Sequence, residues 1–223
     1  PEIEAGMQFL LMNVGKKGIT LDIRAQEGKD TFLKLLEETD VLLQSWSPEE
    51  ASALGFDPTE LRRRFPNLIN ASVTGWGLYG PYASLAYSDI VSLAMAGIMN
   101  LSGFAEGPPT QLPDNQGFHC ASLNLAAGVV AAILERDSSG IAQDVEVSMH
   151  ESLLMAEETA MQTADIRGID RERTGGTSGV IGIKLPGMGL YSAEDGWVYA
   201  MAAGIAGAGF AGLLELMDLL GDS

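Results

Sequence analysis

The residues best suited to chemistry gather at two helix starts and in one glycine-rich stretch. Asp89 follows Ser88 at the head of an apolar helical pattern, where its carboxylate is placed to cap the helix that follows. Asp114, His119 and Cys120 surround the start of a second apolar helix: a carboxylate in a Pro-containing loop, a base, and a thiol whose pKa a helix N-terminus lowers. Each has a plainer reading beside the chemical one. Asp114 suits a solvated turn, His119 a structural hydrogen bond, and Cys120 a small core position. The stretch Thr174-Gly175-Gly176-Thr177-Ser178-Gly179 has the backbone freedom of a flexible connection. The two histidines, His119 and His150, lack convincing metal-ligand spacing, so no metal is expected.

Periodicity gives the elements that must position these residues. Residues 18–23 alternate apolar and polar types and predict a strand, and 27–39 carry Phe32, Leu33, Leu35 and Leu36 at helical spacing. The apolar run 41–46 suits a buried parallel strand. Ser47-Pro48-Glu49-Glu50 and Asp57-Pro58-Thr59-Glu60 are two helix-start signals, and 68–73 form another strand that ends in the turn Thr74-Gly75-Trp76-Gly77. Strands separated by helices predict a right-handed α/β layer. Residues 88–99 and 118–136 predict helices apolar around most of their circumference, with a Pro- and Gly-rich loop at 103–117 between them. A strand at 145–147 and a helix over 149–166 follow. Residues 167–188 read as a long connection, and Glu194-Asp195-Gly196 between 189–191 and 197–200 is a hairpin signal that marks a domain boundary.

Composition narrows the function classes. Of 223 residues, thirty are Asp or Glu and thirteen Lys or Arg, a formal charge of −17 that disfavours nucleic acid and anionic membrane surfaces as partners. An anionic small molecule can still bind at a local basic spot or on backbone amides. The lone Cys120 forms no internal disulfide and no charged leader precedes an apolar stretch, which fits the cytoplasm. The most apolar stretch, 123–134, reads as a buried helix too short for a bilayer. A start at Pro1 and an end at Gly221-Asp222-Ser223, just past an apolar helical pattern, give the expectation of an internal piece cut at both ends.

Several stretches resemble class III coenzyme A transferases, the family of formyl-CoA transferases, carnitine CoA-transferases and 2-methylacyl-CoA racemases. Asn13-Val14-Gly15-Lys16-Lys17-Gly18-Ile19-Thr20-Leu21-Asp22-Ile23-Arg24 and Asp40-Val41-Leu42-Leu43-Gln44-Ser45-Trp46-Ser47-Pro48 resemble two family motifs. Ser72-Val73-Thr74-Gly75-Trp76-Gly77, Gly80-Pro81-Tyr82, Asp89, Gly107-Pro108-Pro109 and Gln143-Asp144-Val145-Glu146-Val147-Ser148 follow in the family's order. The resemblance implies a parallel-sheet large domain of Rossmann-like type over 1–168, a Gly-rich connection over 169–188, the truncated start of a small α+β domain over 189–223, and an interlocked homodimer.

It also implies a function: moving CoA between carboxylic acids by covalent catalysis on an aspartate, with acyl-CoA and a carboxylic acid as small-molecule partners. Counting from Gly107-Pro108-Pro109, the nucleophile position falls on Phe118, and a phenyl ring cannot perform that attack. Asp89 and Asp114 are the remaining catalytic candidates. The racemases' histidine position is Ser88, which disfavours racemization. CoA-contacting positions are Ile23 and Arg24 toward the adenine, Ser45 and Trp46 near the pantetheine arm, and Gly175 and Gly176 in the glycine loop. A phosphate-directed arginine of the family is Ala53 here. The alternatives are a degenerate CoA-binding subunit without transfer activity, and a lyase or dehydratase acting on CoA thioesters.

Overall fold

In the computed structural model, which describes residues 6–175, 179–180, 183–184, 187–201 and 209–220, the chain divides into two units, 1–40 and 41–223. The first carries helices α1 (Met7–Met12) and α2 (Gln26–Leu36). Residues 18–23, expected as a strand, form none. The Asp22 side chain accepts from the Arg24 N–H at 3.0 Å and the Asp22 carbonyl from the Ala25 N–H at 3.2 Å, which turns the chain into α2. Gly28 lies hard against that carbonyl: an added Cβ would sit 2.0 Å from the oxygen. Alternation is a property of one segment, whereas a strand also needs a neighbour to pair with.

The second unit is built on three parallel strands in the order β1 (Val41–Gln44), β2 (Ile69–Thr74), β3 (Val145–Ser148), with Val41 opposite Ile69 and Ala71 opposite Val145. This is the predicted mixed α/β layer, with residues 145–148 as its third strand. Helices α3 (Pro48–Leu54) and α4 (Pro58–Arg64) link β1 to β2. Their start signals work as read. Ser47 accepts from the Glu50 N–H while the Glu50 carboxylate accepts from the Ser47 N–H, a reciprocal capping box, and Asp57 accepts from the Thr59 N–H at 2.9 Å.

Between β2 and β3 lie α5 (Asp89–Met95), α6 (Ile98–Leu101) and α7 (Gln116–Ser139). The helix expected over 88–99 breaks at Gly97, whose φ of 89° is left-handed and so ends α5. By length and apolarity α7 suffices to cross a bilayer, a property that the reading of 123–134 alone understates. In this unit it packs instead along β2, β3 and α8 (Met149–Ala156). The helix expected over 149–166 divides at Glu157 into α8 and α9 (Glu158–Arg167). Beyond come the two-residue strands β4 (Gly179–Val180) and β5 (Ile183–Lys184), the predicted antiparallel hairpin β6 (Met188–Ser192) and β7 (Trp197–Met201), and α10 (Gly209–Leu220).

Among the described residues, two apolar clusters pack on the sheet and helices. Leu93 of α5, Ala96 at its C-cap, Ile98 of α6, Ala121 of α7, and Met149 and Leu153 of α8 form one; Ile69, Ala132 and Ala142 form the other. Gly128 allows α7 its close seat on the sheet, since a Cβ there would meet Val145 Cγ1 at 2.7 Å. Gly128→Ala would gain about 1 kcal/mol of helix propensity. It would lose about 1–3 kcal/mol by overpacking a stiff β-branched neighbour. The variant is expected to be less stable than the parent by up to about 2 kcal/mol in urea unfolding, against the usual benefit of Gly→Ala in a helix.

At the α8–α9 break, burial pushes the Glu157 carboxyl above its ordinary value, with the Arg171 charge pulling the other way. A raised folded-state pKa means that the proton is held more tightly in the folded chain. The contribution to stability is therefore full below the unfolded value and lost as pH rises through the raised one. Glu157→Gln should thus melt higher than the parent at about pH 7 and lose that advantage at about pH 4, read from thermal melts at both.

Candidate functional site

The carboxyl ends of parallel strands are where ligands of open α/β sheets bind, and in this protein two of those ends carry Ser45 and Trp46 and the turn Thr74-Gly75-Trp76-Gly77, which the sequence reading singled out. At the end of β1, Gln44 is buried and reaches both ways: its amide N–H donates to Ser72 Oγ on β2, and its Oε1 accepts from the Trp46 N–H at 2.6 Å. The Trp46 ring stacks on Phe56 with centroids 5.5 Å apart, while Ser45 beside it is exposed. Of the two predicted pantetheine-side residues, Trp46 is thus held through its backbone by a buried polar side chain that lies inside an apolar run, which the sequence reading passed over.

At the end of β2 the backbone turns through Thr74, whose hydroxyl accepts from the Gly77 N–H at 2.9 Å. Glu146 on β3 accepts from the Leu78 N–H at 2.5 Å and holds the far side of the turn. Gly75 is where this turn meets the helical layer. A Cβ on it would come within 2.2 Å of the Tyr87 ring, so glycine is what lets the Tyr87 side chain lie against the backbone here. At the end of β3, the His150 N–H donates to the Gly75 carbonyl at 3.1 Å, and the imidazole faces Trp76 with centroids 5.6 Å apart.

Asp89 is the residue the structure treats most distinctively. Ser88, not Asp89, is the N-cap of α5, accepting from the Val91 N–H, and this removes the capping role read for Asp89. The Asp89 side chain turns away from its own helix, is only 5% exposed, and accepts at Oδ1 from the Gly117 N–H of α7 at 2.8 Å. Its Oδ2 accepts from Gln111 Nε2 at 3.3 Å. Gly117 again has to be glycine: a Cβ would lie 2.9 Å from Oδ1 and 2.9 Å from Met149 Sδ. Gln111 and Gly117 are hydrogen-bond partners of Asp89 that the sequence reading missed. Only the Gly at 117 signalled a close approach, and nothing local signalled Gln111.

Phe118 comes directly after this bond, in the first turn of α7. It is 42% exposed, and its ring tilts against Tyr87 with centroids 6.4 Å apart. Burial pushes the Tyr87 phenol above its ordinary value, and the negative charge of Glu50 adds to the rise. Tyr87–Ser88–Asp89 and Gly117–Phe118 therefore lie side by side, joined by one hydrogen bond and one ring contact. Asp114 lies in an exposed turn ahead of α7, where it and Asn115 adopt consecutive left-handed conformations, φ 61° and 54°. Cys120 is half-buried against the Leu93–Met149–Leu153 cluster, the small core position of its plainer reading. His119 is half-buried beside it.

The other predicted contacts fall elsewhere. Ile23 is half-buried and Arg24 exposed, at the Asp22 turn of the first unit. Gly175 lies close to Phe104, 3.2 Å from a Cβ placed on it, and Arg173 just before it donates to the carbonyls of Asn100 and Gly107 at 3.3 and 3.0 Å. The start of the glycine-rich stretch is thereby tied to the loop 103–115, and Gly176 lies outside the described residues. Among the described residues no three His, Cys, Asp or Glu side chains are grouped to hold a metal ion.

Comparison with known proteins agrees with this geometry. The chain is 31% identical over 202 residues to the succinyl-CoA:(R)-benzylsuccinate CoA-transferase subunit BbsE of Thauera aromatica, covering 91% of this chain and 48% of that protein. It is 38% identical over 147 residues to the probable fatty acyl-CoA transferase Rv3272 of Mycobacterium tuberculosis, 64% of this chain and 36% of that one. Among solved structures, a CAIB/BAIF family protein from Brucella suis superposes with a TM-score of 0.79 at 26% identity, over 93% of this chain and 53% of that one. The chain thus spans about half or less of the relatives it matches. The model of CoA-transferase family III matches residues 2–220, and the chain belongs to that family.

Proposed function

We propose that the protein takes part in moving CoA between carboxylic acids, as a chain that binds an acyl-CoA thioester at the carboxyl edge of its sheet without supplying the covalent carboxylate from position 118. In the full reaction a carboxylate oxygen attacks the thioester carbonyl and CoA thiolate leaves, giving a mixed anhydride. The thiolate then attacks the protein's own acyl carbon and releases the first acid, and the acceptor acid repeats the sequence in reverse. The observation that carries the proposal is Phe118 in the first turn of α7, on the seat bounded by Tyr87 and the Asp89–Gly117 bond. An aromatic ring there contacts a bound thioester but forms no bond with it.

Asp89 does not take over the attack, because both of its oxygens accept hydrogen bonds and the side chain is buried. Exposed Asp114 favours a second reading, in which the nucleophile has moved to the turn ahead of α7 and this chain transfers CoA by itself. The word subunit in the name of BbsE supports the first reading. A lyase or dehydratase is the third reading, and it gains no residue from the geometry.

The rest of the proposal rests on the family resemblance. Ile23, Arg24, Ser45, Trp46 and the glycines 175 and 176 contact the CoA moiety, and residues 1–168, 169–188 and 189–223 serve as CoA-binding domain, connection and start of a small domain. The whole protein works in the cytoplasm as a dimer. The exposed face of α7, with Leu123 73%, Val130 57% and Leu134 66% exposed, supports the dimer, because so much apolar surface on one helix calls for a covering chain.

Incubating the full-length protein with an acyl-CoA, trapping with hydroxylamine and mapping peptides by mass spectrometry tests this. The expected result is thioester binding with no carboxylate adduct in the parent, and an adduct at position 118 in Phe118→Asp. An adduct at Asp114 in the parent would establish the second reading instead. Absence of thioester binding would overturn both, and elimination of water from the thioester would establish the lyase.

A further inference from the structure

With both oxygens engaged, Asp89 does not supply the attack, yet it is a buried carboxylate bonded to the residue just before the seat, which leaves its use to be explained. We infer that Asp89 is a positioning residue, which fixes the direction in which residue 118 is presented by holding the Gly117 amide.

Four observations converge on that role. The Asp89 side chain departs from its own helix and takes the amide of the residue immediately before Phe118, at 2.8 Å. Charge-assisted bonds of this kind are about twice as strong as neutral ones and narrow in geometry, so the first turn of α7 is fixed in rotation as well as in place. Its second oxygen takes Gln111 from the loop 103–115, so the segment leading into α7 is tied to the same group. The missing side chain at Gly117 lets the carboxylate approach, and Met149 closes the remaining side. Two residues before Asp89, Tyr87 lies on Phe118, so one short segment sets both the backbone angle and the ring contact of position 118.

A residue that merely stabilised α5 would have no reason to bond across to this amide. A helix N-terminus has several free N–H groups, and Asp89 already lies in the first turn of its own helix, where a carboxylate is favourable without reaching elsewhere.

The inference rests on the binding role proposed above only in its second readout, so the two fail separately. The first readout is the fluorine resonance of 4-fluorophenylalanine placed at position 118 of the full chain. Asp89→Asn keeps an acceptor oxygen and should shift that resonance slightly; Asp89→Ala and Gly117→Ala should shift it further and broaden it. Gln111→Leu should give a smaller change in the same direction. Asp57→Ala, which loses the cap of α4 and lowers stability to a comparable degree, should leave it in place. The second readout is acyl-CoA affinity, expected to fall about tenfold in Asp89→Ala and less in Asp89→Asn. A resonance that stays put in Asp89→Ala while the melting temperature falls would reduce Asp89 to a packing residue and overturn the inference. If the resonance moves as described while neither parent nor variants bind acyl-CoA, the positioning role stands and the thioester-binding proposal falls.

Discussion

A buried carboxylate must be met by hydrogen-bond donors or it destabilises the fold that encloses it, and Asp89 is met by donors from two different segments. Its oxygens join Gly117 at the start of α7 to Gln111 in the loop before it, while its backbone opens α5. Three pieces of chain separated in sequence are thereby required to meet at one point. Replacing the carboxylate by an apolar group would leave a buried N–H unpaired, and replacing Gly117 by any larger residue would push the carboxylate off it. The constraint is mutual, and the geometry around position 118 follows from it.

From that point the order runs outward to the sheet. Tyr87 lies against the bare backbone of Gly75, so the turn after β2 and the start of α5 are in register. Gly75 accepts from the His150 amide after β3, and Gln44 ties the end of β1 to Ser72 on β2. The three strand ends are thus linked by polar contacts that are not part of the ladder. A parallel sheet alone aligns its strands only along their length; these links align the loops beyond them, where a ligand has to be received.

Much of this frame is legible in the sequence because its signals are local. The capping box at Ser47 and Glu50, the cap at Asp57, and the alternation around Glu194-Asp195-Gly196 depend on residues a few positions apart, and each formed as read. The strand at 18–23 did not, because Asp22 has a closer partner in the Arg24 amide than any strand would give it. The single helix over 149–166 failed for the opposite reason: its apolar pattern continues, but at Glu157 the backbone bends and the N–H bonds back to Leu154. The site is harder to read than the fold. Asp89 and Gly117 stand 28 positions apart, and no local pattern says that one accepts from the other. Glycine at 75 and at 117 is a visible mark of close approach, but the sequence does not name the group that approaches.

The same interaction explains how a phenyl ring can occupy a position where the family resemblance implies an aspartate. The first turn of α7 has its amide at Gly117 already paired by Asp89, so the helix start does not depend on residue 118 for a carboxylate. The ring recovers apolar contact from Tyr87, and a tilted aromatic pair contributes about 0.5–1.5 kcal/mol beyond the area it buries. Phenylalanine at 118 is therefore compatible with the fold, because the buried carboxylate at 89 pairs the Gly117 amide whatever residue follows it. Under the binding role proposed above, such a chain keeps its shape and its seat without needing the covalent step, because neither depends on a carboxylate at position 118.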